Sequence, residues 1–446
     1  MEFTAWSVFV DFALIGGLLV VGQFLRSKIK LFQDLLLPAA LIAGILAWIL
    51  GPNGINLLPF SNSVGTYSSI LIILVFASMP IGDKPVNWRK SGRGIGGMFS
   101  NLTGIALAQY GLGMALSLYV LGTIWKLHPG FGLMLATGFY GGHGTAAAVG
   151  AAFESLGWEE ALALGMTSAT VGIVGGIVGG VALINWATRK GLTNFITSPA
   201  ELPTELRTGI IAEENQKPYG KATVASISID PISFHLGLLL IPSVLGYYLS
   251  EWFGTLNPNL KIPAFASALI VAYIVQSILL STGANKYVDR ATVNRISGTA
   301  TDFLIVAGIE SIKLSVIVKY AAPMALLFIF GFVLNWVWFK YFGAKMSEEN
   351  WFERNMMVWG SACGVLTTGI MLLRVVDPEF KSRALEDAAV ALALNRPIVI
   401  ALTALPPLLI SQGLAGRFTW ITLAGLVVLL VVARMFGWWK TSANKN

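Results

Sequence analysis

Charge is the first thing this chain lacks. Asp, Glu, Lys and Arg make up 12% of its 446 residues, about half the ~25% of an ordinary soluble domain. Cysteine is nearly absent: Cys363 stands alone, so no internal disulfide can form, and no Cys/His spacing resembles a metal site. Three histidines and no HExxH, GxSxG or paired-aspartate pattern leave little equipment for an intramembrane enzyme. A P-loop is missing too, so ATP-driven pumping would need a separate subunit. The net charge of +7 is read as loop charge that orients membrane spans, and not as a nucleic-acid surface.

What is present is apolar. Hydrophobic residues reach 55%, and many runs exceed the ~18 residues needed to cross a bilayer. The 48 glycines and 18 prolines suit helices that pack closely, kink and break. The fold class expected is an all-α polytopic membrane protein. The opening residues carry Glu2 but no basic cluster and no small-residue cleavage site, so the first span is expected to be retained.

Eleven spans are expected, at 7–25, 34–50, 62–80, 95–124, 159–187, 231–250, 262–281, 297–315, 318–341, 386–411 and 418–438, with two re-entrant hairpins at 131–156 and 350–377. Arg26, Lys28, Lys30, Lys84, Arg89, Lys90, Arg93, Arg189, Lys190, Lys286, Arg290, Arg295, Lys340, Lys345, Lys440 and Lys445 all fall on one side if the N-terminus is external. The opposite loops hold only Lys126, Lys261, Lys313, Lys319 and Arg417. The positive-inside rule therefore predicts an external N-terminus and a cytoplasmic C-terminus.

Both hairpins coincide with breaks. Gly138-Phe-Tyr-Gly-Gly-His-Gly-Thr145 packs four glycines, a histidine and a threonine into eight residues of apolar sequence. Gly360-Ser-Ala-Cys-Gly-Val-Leu-Thr-Thr-Gly369 holds the matching place later in the chain. Lipid offers backbone amides no partner, so broken helix at membrane depth survives only inside protein or along a watery cavity. An acidic pair follows each hairpin, in Trp158-Glu-Glu-Ala-Leu-Ala-Leu164 and Leu385-Glu-Asp-Ala-Ala-Val-Ala391. Residues 1–187 and 230–411 thus form two five-span halves. Five crossings are an odd number, so the second half enters the membrane inverted, as in secondary transporters. The loop 188–229, with Pro203, Glu205, Glu213, Glu214 and Lys217, is a cytoplasmic linker, and 412–446 adds an extra span and tail.

The motif Gly141-Gly-His-Gly-Thr145 and the two-half layout resemble the sodium/glutamate symporters, and more distantly the 2-hydroxycarboxylate (citrate) carriers. The resemblance implies a sodium-coupled importer of a small anionic amino acid or carboxylate in the cell membrane, glutamate first, with a dicarboxylate or another amino acid, or coupling to protons, as the alternative. It also implies a homodimer, with a fixed scaffold and a mobile, elevator-type domain that carries both hairpins. The second hairpin departs from the family's Gly-rich stretch leading into Thr-Pro-Thr: this chain has Cys363-Gly-Val-Leu-Thr-Thr-Gly369, followed by Leu372-Leu-Arg-Val-Val-Asp377.

Gly141, Gly142 and Gly144 let solute approach the backbone closely, and the helix opening near Thr145 would offer free N–H groups to a carboxylate. His143 could bind solute, carry a proton or cap the hairpin. Thr367 and Thr368, beside Gly369, could coordinate sodium or a carboxylate oxygen, or bond their own helix. Arg396 follows Asn395 and precedes Pro397, which is expected to break the helix; its guanidinium could clamp a carboxylate or snorkel at the cytoplasmic end. Asn101, Thr103, Thr167 and Ser168 are the candidate sodium ligands. Asp11, Asp302, Glu310 and Lys313 are read as paired or interfacial, and Arg374 and Asp377 as caps of the second hairpin. Gly175-Gly176 and Gly179-Gly180 have the spacing of a close helix contact.

Overall fold

The computed structural model describes residues 4–439 apart from 36, 84–91, 197–203, 217, 219, 257–261 and 348. Glu2, Pro203, Lys217, and Lys84, Arg89, Lys90, Lys261, Lys440 and Lys445 of the charge asymmetry lie outside the described residues.

Every regular element among the described residues is helical. The first set is α1 (Ala5–Lys28), α2 (Ala39–Leu50), α3 (Val64–Ser78), α4 (Arg93–Leu116), the short pair α5 (Leu133–Phe139) and α6 (Gly142–Ser155), and α7 (Ala161–Arg189). The second is α8 (Pro231–Leu256), α9 (Ala264–Ser281), α10 (Arg290–Glu310), α11 (Leu314–Val337), the short pair α12 (Trp351–Cys363) and α13 (Leu366–Val376), and α14 (Ala384–Ser411), with α15 (Ala415–Met435) beyond it.

The sets echo each other in detail. α2 and α9 each start behind a proline, Pro38 and Pro263, at φ −59° and −56°; the ring presets φ and needs no N–H at a helix start. α4 and α11 each run on into a π-helical turn, Ser117–Leu121 and Trp338–Phe342.

Among the described residues, eight helices are long and apolar enough to cross a membrane: α1, α4 with its extension, α7, α8, α9, α11 with its extension, α14 and α15. α2 and α3 are apolar but shorter. α10 carries Arg290, Arg295, Asp302 and Glu310 and is not among the eight. It packs on α2 and α3, with Val293, Leu304, Val306 and Ala307 fully buried, while Asn294, Arg295, Gly298, Thr299 and Asp302 are exposed.

Packing sorts the helices into two groups. α3 lies against α10, with α1, α2, α8 and α9 around them. α4 packs on α14 and α15, while α7 receives α5, α6, α11, α12 and α13. The groups touch where α3 meets α6 and where α10 meets α6 and α7.

α7 can serve as a shared backing because one face is nearly bare. A methyl built on Gly176 would lie 2.7 Å from Cys363 Cβ, on Gly179 2.8 Å from the Trp359 ring, and on Gly180 2.5 Å from Leu372 Cδ1. On Gly175 it would stand closer still, 2.1 Å from the Phe332 ring. These glycines make the expected close helix contact. Trp359 Nε1 fixes it by donating to the Gly176 carbonyl at 2.8 Å.

One expectation fails. α14 runs unbroken from Ala384 to Ser411, with Pro397, Pro406 and Pro407 inside it. Proline removes one backbone bond and crowds the preceding turn. In membrane helices, neighbouring helices commonly satisfy the freed carbonyl, so the rod survives. Asp377 follows the last turn of α13, and its carboxylate accepts from the Lys381 and Ser382 amides at 2.8 Å each, which ties down the turn leading to α14.

Candidate functional site

The two short pairs meet tip to tip. Gly142 opens α6 with φ +62°, a left-handed conformation that only glycine adopts at no steric penalty. A methyl group there would lie 2.4 Å from Val365 Cγ1 and 3.3 Å from the Gly364 carbonyl oxygen. On the other side, Gly360 of α12 faces Gly369 of α13, its ideal Cβ 2.6 Å from the Gly369 Cα. Gly369 is therefore a packing residue that lets α13 fold back closely on α12.

Two helix starts converge at this contact. The N-caps of α6 and α13, Gly141 and Val365, provide no side-chain cap. The first-turn N–H groups of a helix have no partner within it, and they carry the positive end of its dipole. Polar backbone of the opposite sense lies alongside. The Ala362 carbonyl, at the end of α12, accepts from Gln109 Nε2 at 2.7 Å, and the Cys363 carbonyl oxygen faces Gly172 of α7. Beside the contact, Gly144 has nothing within 4 Å of where a Cβ would stand, Thr145 is half-buried and Thr367 is exposed, whereas Thr368 is buried.

His143 is 3% exposed. Its Nε2 lies 3.1 Å from Thr170 Oγ1, which donates its own proton to the Met166 carbonyl at 3.0 Å. Thr170 must then accept, so His143 carries its proton on Nε2. Asn395 of α14 is fully buried and donates from Nδ2 to Tyr140 Oη at 2.9 Å, which ties α14 to the first tip. Its Oδ1 has no hydrogen-bond partner among the described residues, nor does Gln109 Oε1.

The other candidates lie elsewhere. Ser168 is buried against Gly138 of α5, its hydroxyl without a partner among the described residues, while Thr167 bonds back to the Ala163 carbonyl at 2.7 Å. Asn101 is held in a buried network in the first half of α4, donating to Asn355 at 2.9 Å and accepting from Trp338 at 2.8 Å. Thr103 is buried nearby on α4, its hydroxyl without a partner among the described residues. Arg396 does not reach the tips: it pairs with Asp83 and donates to the Met79 carbonyl at 3.2 Å. Arg290 shares that carboxylate at 3.2 Å.

Gln109, Tyr140 and Asn335 escaped the sequence reading. Gln109 grips the second tip and also bonds Asn335 Oδ1 at 3.0 Å. The signal was available, because an amide inside a long apolar helix is a polar insertion that demands a partner.

The family model described as sodium/glutamate symporter matches residues 5–351. The match takes in the first tip and ends at the start of α12. No curated protein and no solved structure matches the chain. A match over well more than half of the sequence places this chain in the sodium/glutamate symporter family.

Proposed function

We propose that this protein imports a small anionic solute, glutamate first among candidates, together with sodium. The supporting observation is the meeting of two uncapped helix starts at Gly142 and Val365. Converging N–H groups and dipoles favour a carboxylate, and in transporters such ends face the anionic substrate while freed carbonyls take the ion. The buried Asn395 Oδ1 and Gln109 Oε1 suit an ammonium group or sodium, since both complete an acceptor oxygen.

In this reading the two sets of helices are inverted repeats, 1–187 and 230–411, and the short pairs are hairpins entering from opposite faces. The group α4–α7 with α11–α15 is the moving body. The group α1–α3 with α8–α10 is the scaffold, on which a second copy would pack. The N-terminus lies outside, and 188–229 is the cytoplasmic linker. A citrate-like dicarboxylate is the second candidate solute, favoured by the unusual second tip, Cys363 to Gly369, beyond the family match.

Uptake into proteoliposomes tests the proposal. Labelled glutamate should accumulate under an inward sodium gradient and not under potassium, and Thr145→Ala should weaken its apparent affinity. Equal uptake under both cations would reject sodium coupling. Unchanged affinity in Thr145→Ala and Gly142→Ala would reject the tip as the site.

A further inference from the structure

A second polar site lies away from the tips. Glu310 closes α10 with 1% of its surface exposed, and its Oε2 has no hydrogen-bond partner among the described residues. A buried carboxylate is strongly unfavourable unless something answers its charge. No ion pair among the described residues does so, and a nearby carboxylate adds to the penalty. That neighbour, Asp11, is already satisfied by the Ser61 amide (2.9 Å), the Ser61 hydroxyl (2.5 Å) and Tyr67 Oη (2.9 Å).

Glu310 lines a cavity of about 690 Å³ between the ends of α3, α6, α7 and α10. Glu154, Glu159, Ser61, Thr66 and Lys313 share its wall. Glu160 lies there as well, but its charge is met by Lys319 at 2.8 Å. Carboxylates outnumber the single lysine, and hydroxyls fill the gaps between them.

We propose that this cavity binds a sodium ion that keeps part of its water shell, with Glu310 Oε2 as the anionic ligand. Among the described residues no three His, Cys, Asp or Glu are grouped to hold a metal ion, so a divalent ion would lack the oxygen cage it requires. A monovalent ion needs less, and the cavity has room for its waters. The site stands apart from the tips, none of whose residues line it. Its consequence for transport rests on the function proposed above: an acidic mouth between the two helix groups repels an arriving anion, and a bound cation relieves that repulsion before the solute enters.

The test is equilibrium binding of radioactive sodium to the purified full-length protein without solute, with choline chloride holding ionic strength constant. Glu310→Gln should bind one sodium fewer per chain. Its melting temperature should rise in choline, where the buried charge is gone, and should lose the part of sodium's stabilising effect that belongs to this cavity. Glu154→Gln, at a half-buried wall position, should weaken sodium binding severalfold and serves if Glu310→Gln does not fold. Unchanged sodium binding in these variants, or equal stabilisation by choline, would overturn the proposal. Unchanged glutamate binding in Gly142→Ala, with sodium binding at Glu310 intact, would count against the transport site alone.

Discussion

Gly142 concentrates the residue-scale argument, because its backbone and its lost side chain are both constrained. Alanine at φ +62° incurs about 1–2 kcal/mol of backbone strain, and its methyl would collide with Val365. Gly142→Ala should lower the melting temperature and abolish uptake, whereas Gly144→Ala, facing open space, should fold normally and alter only solute affinity. His143→Phe would remove the bond to Thr170 and should destabilise by ~1 kcal/mol, read by thermal unfolding. The glycine cluster was legible in the sequence because few other reasons place four glycines in eight apolar residues. The partner of Arg396 was not: Asp83 lies 313 positions away, and no local pattern announces a contact at that separation. Outside the spans, His128 stacks on Trp158 with centroids 4.1 Å apart, and burial holds its pKa below 6.5 despite the nearby Glu160. Folded protein therefore resists protonation that unfolded chain accepts. Stability from this site is present above pH 6.5 and falls as pH drops towards the lower folded value. His128→Phe should flatten the acid side of a melting-temperature profile.

At the scale of elements, α7 explains why the helix pairs can be short. Eleven or thirteen residues make a marginal helix in isolation, so α13 and α12 depend on the bare face of α7. Trp359→Phe keeps the ring but loses the bond to Gly176, and should cost about 1 kcal/mol. Gly176→Leu would drive a side chain into Cys363, and should prevent the second tip from seating at all; limited proteolysis near 364 would detect this. The spacing of Gly175, Gly176, Gly179 and Gly180 announced such a contact, though not its partners. The continuity of α14 was not legible, because proline's local penalty is visible in sequence while the neighbours that offset it are not.

Across the whole molecule, Asp83 joins Arg290 of α10 to Arg396 of α14, and so bridges the two helix groups. All three side chains are about a third exposed, so the pairs should contribute under ~1 kcal/mol each. Asp83→Asn should barely move the melting temperature. If the groups slide past one another during transport, it should still change turnover, measured as uptake rate at saturating solute; an unchanged rate would mean the bridge takes no part in the motion. The sequence by itself determined that this chain is helical, apolar enough for a bilayer and twice interrupted, because periodic burial and broken backbone are local properties written in residue type. Only the tertiary structure decided that Gly142 touches Val365, that Arg396 answers Asp83 instead of reaching the tips, and that Glu310 lines a cavity with no ion-pair partner among the described residues. Each of those facts depends on segments far apart in the chain, brought together by how closely small residues allow helices to approach.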